Sequence, residues 1–145
     1  MRSALGESMH DEAGTVRSLT LERPAVPASV RELRAALVDF ARACGASAPV
    51  LDAVALAVTE ATTNVVRHAY GDQAADPGPI DVSASAVGGE LIVTVADRGD
   101  GLRAGRASPG LGLGLALIAR SADRIDLRTS GDGGVEIRMA FALSR

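Results

Sequence analysis

Lysine is missing from this chain of 145 residues, and all fifteen basic residues are arginine. A P-loop needs a lysine on its phosphates, and an ordinary protein kinase needs one on a strand. Neither design is open here, and lysine Schiff-base chemistry is absent too. Aromatic residues make up only 2% of the chain, and tryptophan is absent. The core must therefore be built from Ala, Val, Leu and Ile. Stacking platforms for single-stranded nucleic acid are not available either. With one cysteine, Cys44, no internal disulfide can form. Two histidines, His10 and His68, argue against a structural zinc site. No run of about 20 apolar residues suggests a membrane span. The polar start, Met1 to Thr15, has no apolar stretch typical of a secretory signal. A cytoplasmic location is the expectation. The net charge of -3 runs against binding to a phosphate backbone.

What is present fits one α/β domain. Residues 1–16 read as a flexible leader and 17–145 as the domain. Ser18 to Glu22 alternates as a strand does. Ser29 is a plausible N-cap for a helix reaching Ala43, with Val30, Leu33, Leu37 and Phe40 along one side. Pro49 suits the first turn of a second helix over 49–69. Residues 80–87 and 90–96 alternate around Gly88-Gly89 and predict a β-hairpin. A glycine-rich segment follows from Gly99 to Gly114, then a helix from about Leu113 to Ala122. Two more strands are expected at 124–129 and 135–143. Helices set apart from a hairpin-rich sheet predict a two-layer sandwich, with a mixed, mostly antiparallel sheet covered on one face.

Three constellations could carry chemistry. On the second helix, Glu60, Asn64 and His68 stand at i, i+4 and i+8 in one row. A carboxylate one turn from a carboxamide offers a general base beside an oxygen ligand for Mg²⁺. A solvated polar face is the other reading. Thr62, Thr63 and Asn64 are weak helix formers in mid-helix, which favours the first. Next, Asp97-Arg-Gly99-Asp-Gly101 follows a strand. Its carboxylate could accept a bond from an exocyclic amine, although the same residues make a good plain turn. Last, Gly110, Gly112 and Gly114 lead into a helix whose N-terminal N–H groups suit phosphate, or else form a flexible linker. No strand precedes these glycines directly, which argues against a dinucleotide fingerprint.

Taken in order, TEATTNVVRHAY, DRGDGL and GLGLGLALI resemble the N-box and two glycine boxes of the GHKL ATPases. Within that superfamily, they are most similar to the anti-sigma-factor serine/threonine kinases. The resemblance spans roughly residues 18–142 and implies a Bergerat-type ATP-binding fold. It implies that Asn64 coordinates Mg²⁺ and that Glu60 is the general base toward a protein serine. It places Asp97 on the adenine amine and Gly101 under the ring. Gly112 and Gly114 fall on the phosphates, and His68, Gly99 and Gly110 complete the nucleotide contacts. The implied partners are a STAS-type anti-anti-sigma domain, a sigma factor and a second copy in a homodimer, without direct nucleic-acid or membrane contact. Arg34 falls where such proteins place a partner-contacting arginine. Two departures stand out. Val135 occupies a position where the family often has Thr, and the lid from Arg98 to Pro109, with Arg103 and Arg106, is short. Two other readings fit the same motifs: a non-catalytic ATP-dependent protein-binding switch, and the catalytic half of a two-component histidine kinase.

Overall fold

The computed structural model describes residues 8–9, 16–71, 76–99, 111–130 and 133–144. Its elements are β1 (Ser8–Met9), β2 (Arg17–Pro24), α1 (Pro27–Ala43), α2 (Ala48–His68), β3 (Pro79–Val87), β4 (Glu90–Asp97), α3 (Leu111–Ser121), β5 (Arg124–Thr129) and β6 (Val135–Ala142). The strands form one sheet in the order β1-β2-β3-β4-β6-β5. Every pairing among the described residues is antiparallel, so the expected mixed sheet carries no parallel pair there.

Period-two alternation sets the two faces of the sheet. Leu21, Val82, Val95, Ile137 and Leu127 lie in one row across five strands. The first four are buried beneath the helices. The neighbouring row, Thr20, Ser83, Thr94, Arg138 and Asp126, lies on the other face and is polar. Helix α1 buries Leu33, Leu37 and Ala41, and α2 buries Val50, Val54, Ala57, Val58, Ala61 and Val65. Ile118 of α3 and Met139 and Phe141 of β6 complete the same core. Helix α2 is long and apolar enough by composition to cross a membrane. Its buried face is part of this core.

Four boundaries differ from the sequence reading. Helix α1 starts at Pro27 with Val26 as N-cap, and Ser29 is buried in the first turn. Proline's fixed φ suits that first position, so the serine side chain is not needed there. Helix α2 runs 48–68, one residue earlier at each end than expected. Ser8–Met9, inside the expected leader, pairs with Ser18 and Arg17 of β2. Helix α3 starts at Leu111, which puts Gly112 and Gly114 inside the helix. N–H groups in a first turn lack helical partners anyway, so glycines are tolerated there.

Candidate functional site

The row Glu60, Asn64 and His68 lies on the last turns of α2, each side chain half-buried. His68 is the final residue of the helix. Asn64 presents the sharpest anomaly among the described residues. Its Nδ2 is buried and has no hydrogen-bond partner. An orphaned buried amide group costs about 1–3 kcal/mol. Beside it sits Gly114 of α3. A Cβ there would come 2.9 Å from Asn64 Nδ2 and 3.0 Å from Oδ1. Glycine is thus what lets the first turn of α3 approach the amide. Thr62 proves different from the sequence reading, which counted its weak helix propensity toward a functional row. It is fully buried, and its hydroxyl donates to the Val58 carbonyl at 2.7 Å. That bond satisfies the hydroxyl inside the helix, so Thr62 belongs to the core.

Asp97 ends β4 on the helix-facing side of the sheet. Its Oδ1 accepts the Gly99 N–H at 3.0 Å and the Val135 N–H at 3.3 Å. Burial pushes the carboxyl above the usual aspartate range, and those two N–H bonds pull partly the other way. Both of these bonds fall on Oδ1, and none among the described residues falls on Oδ2. The side chain of Val135 cannot supply the polar contact that Thr often gives, but its backbone N–H holds Asp97. Gly99 packs on the carbonyl of Ala69, and a Cβ would collide with it. Gly134 packs on the Asp97 carbonyl, where a Cβ would come to 2.7 Å.

The α2 end, the β4 end, the β6 start and the α3 start therefore meet at one end of the sheet. Gly114 comes against Asn64, and Asp97 holds Gly99, while Glu60 and His68 stand one helical turn to either side of Asn64 on α2. Gly112 lies two residues before Gly114 in α3. Gly101 and Gly110 lie outside the described residues, as do Arg103 and Arg106. Arg34 is exposed on α1 and is not part of this constellation. Sequence reasoning did not find Tyr70 as a structural member of this end. Its hydroxyl donates to the Pro79 carbonyl at 2.6 Å and accepts the Arg98 N–H at 3.0 Å.

Comparison with known proteins settles the family. The model of the histidine kinase-like ATPase domain matches residues 23–141. This chain belongs to that family. A serine-protein kinase RsbW from Bacillus licheniformis is 30% identical over 142 residues, covering 88% of this chain and 86% of the relative. RsbW from Bacillus velezensis is 34% identical over 86 residues, covering 59% of this chain and 52% of the relative. Among solved structures, the RsbU and RsbW domains of Rv1364c from Mycobacterium tuberculosis match with a TM-score of 0.67 at 26% identity. That match covers 87% of this chain and 33% of the longer one. The SiaB–SiaC complex from Pseudomonas aeruginosa matches with a TM-score of 0.65 at 17% identity, covering 85% and 88%. The last likeness speaks to the fold alone. Within the ATPase family the chain groups with the RsbW-type serine-protein kinases, and ATP use comes with that membership.

Proposed function

We propose that this ATPase-family domain is an anti-sigma serine/threonine protein kinase that uses Mg-ATP and phosphorylates a STAS-type anti-anti-sigma domain. The observation that carries the site assignment is the unpartnered amide of Asn64, buried against Gly114. A carboxamide can present either its oxygen or its nitrogen by a flip. A divalent cation takes hard oxygen ligands, so an Asn64 oxygen beside phosphate oxygens fits it. When bound, Mg²⁺ neutralises charge on the phosphates during transfer. The residues do the rest. Asp97 accepts a hydrogen bond from the adenine amine through Oδ2. Gly99 lets the backbone lie against the ring. The N–H groups at the start of α3, around Gly112 and Gly114, hold phosphate. Glu60, one helical turn from Asn64, takes the proton from the attacking serine hydroxyl. As that oxygen bonds to the γ-phosphorus, the bond from γ-phosphorus to the bridging oxygen breaks, and ADP leaves.

The RsbW names of the relatives support the choice of serine as acceptor. The proposed partners are the anti-anti-sigma domain and a sigma factor, met by a homodimer in the cytoplasm.

Calorimetric titration with Mg-ATP tests the reading. Asn64→Ala weakens binding on the order of 100-fold or more, because the cation loses its protein ligand. Equal affinity in the two proteins sinks the site assignment. Glu60→Gln separates kinase from switch. It cuts transfer of the γ-phosphate to an anti-anti-sigma domain by roughly 10²–10⁴-fold and leaves ATP binding in place. Unchanged transfer removes Glu60 from the chemistry.

A further inference from the structure

The hydroxyl of Tyr70 uses both its hydrogen-bonding capacities on backbone, and the two partners come from different strands. It donates to the carbonyl of Pro79, the first residue of β3, at 2.6 Å. It accepts from the N–H of Arg98, the residue after β4, at 3.0 Å. Tyr70 itself stands two residues beyond the end of α2, the helix that carries Asn64. The phenol therefore ties together the helix bearing the phosphate half of the site and the turn bearing the adenine half.

Its neighbours show that this contact is built in. A Cβ on Gly78 would fall within the Tyr70 ring, coming 2.8 Å from the hydroxyl oxygen. The Gly78 carbonyl in turn accepts the Ala25 N–H at 3.0 Å, which fixes the chain entering β3. On the other side, the peptide held by the hydroxyl lies between Asp97 and Gly99. Gly99 donates to Asp97 Oδ1 and packs on the Ala69 carbonyl, one residue before Tyr70. The Arg98 side chain leaves this turn to pair with Glu22 at 3.2 Å and Asp81 at 3.2 Å. That pairing is mostly exposed and holds the turn weakly. The tight constraints on the Asp97 turn are thus two backbone bonds to its own carboxylate and one backbone bond to Tyr70.

We infer that Tyr70 is a positioning residue for adenine recognition, fixing the 97–99 turn so that Oδ2 of Asp97 faces the purine amine. This rests on the reading of Asp97 as the adenine acceptor. The phenol stays a donor at neutral pH: burial pushes its proton affinity up, and the bond from the Arg98 N–H pulls only partly the other way. Losing the hydroxyl leaves the ring packed and frees the peptide beside Asp97. Purine choice, not core stability, is what then changes.

The test is Tyr70→Phe in the full chain, with Asp97→Asn alongside. Mg-ATP and Mg-GTP affinities are measured by calorimetry, and thermal midpoints are recorded. GTP carries an oxygen where ATP carries the amine, so the ratio of the two affinities reads the Asp97 contact. Tyr70→Phe weakens ATP binding about fivefold, the worth of one well-placed hydrogen bond. It leaves GTP binding nearly unchanged, so the ATP preference narrows. Asp97→Asn narrows the preference further. A ratio equal to wild type in Tyr70→Phe, with a narrowed ratio in Asp97→Asn, overturns the role of Tyr70 alone. An unchanged ratio in both variants overturns the adenine reading of Asp97 and this proposal with it. A lowered thermal midpoint with no change in ratio marks a purely structural tyrosine and also overturns it. If Tyr70→Phe does not fold, Gly78→Ala carries the same comparison, since its methyl displaces the ring with the hydroxyl retained.

Discussion

At the β3–β4 hairpin, Gly88 and Gly89 adopt φ of 58° and 77°, and a Cβ on either would meet nothing within 4 Å. At the opposite end of the same strands, Gly99, Gly114 and Gly134 face the reverse situation. Their φ values are ordinary, but a Cβ on each would run into a neighbour within 3 Å. The first pair is glycine because the turn demands left-handed backbone. The second group is glycine because something must come close. Those neighbours are the Ala69 carbonyl, the Asn64 amide and the Asp97 carbonyl, all at the proposed nucleotide end. Glycine needed for proximity thus marks the site, and glycine needed for dihedral angle marks only a fold.

That contrast can be broken by adding one methyl at a time. The largest effect is expected for Gly99→Ala. The obstacle is backbone, which cannot swing away, and relief requires moving the end of α2. Stability falls by about 1–3 kcal/mol, and Mg-ATP binding is lost, as denaturant melts and calorimetry will report. Gly114→Ala comes next, and there the two properties separate. Alanine suits a helix better than glycine by about 0.5–1 kcal/mol, so the thermal midpoint holds or rises. Its methyl displaces the Asn64 amide, and Mg-ATP binding falls by about tenfold or more. Gly88→Ala is the control. It costs about 1 kcal/mol from the strained φ and leaves nucleotide binding at the wild-type level. Equal nucleotide affinity in Gly114→Ala and Gly88→Ala would erase the distinction between the two ends.

The same contrast explains how much could be read from the chain. The hairpin was legible because alternation and a Gly-Gly turn are local signals; the structure places it at Pro79–Val87 and Glu90–Asp97. The row of Glu60, Asn64 and His68 was legible because helical spacing alone aligns it. The family motifs supplied the order of Asp97 and the glycines. What sequence could not supply were contacts across distant segments. Gly112 and Gly114 looked like a loop entering a helix, and only the packing of α3 on α2 puts Gly114 against Asn64. Tyr70 looked like the tail of a motif. Its bond to Arg98 joins residues 28 positions apart, and Val135 reaches Asp97 across 38. Thr62 misled for a related reason. Its weak helix propensity pointed to function, whereas full burial and the bond to Val58 make it a core residue.

The smallest expected effect concerns Asp97 and pH. Its carboxyl sits above the usual aspartate range, with burial the first cause. In the unfolded chain it titrates normally, so the folded protein takes up the proton first as pH falls. This group's penalty on folding is present above its folded-state pKa and relieved below it, so acidification through that window stabilises the fold through Asp97. Adenine recognition runs the other way, because the amine needs an ionised acceptor. ATP affinity therefore begins to weaken at a higher pH than an ordinary aspartate would set, while Asp97's own contribution to the thermal midpoint moves upward. Titrating wild type and Asp97→Asn side by side isolates both changes, since asparagine cannot ionise. Affinity and midpoint that shift in the same direction, or a wild-type profile identical to that of Asp97→Asn, would detach the buried carboxylate from the purine.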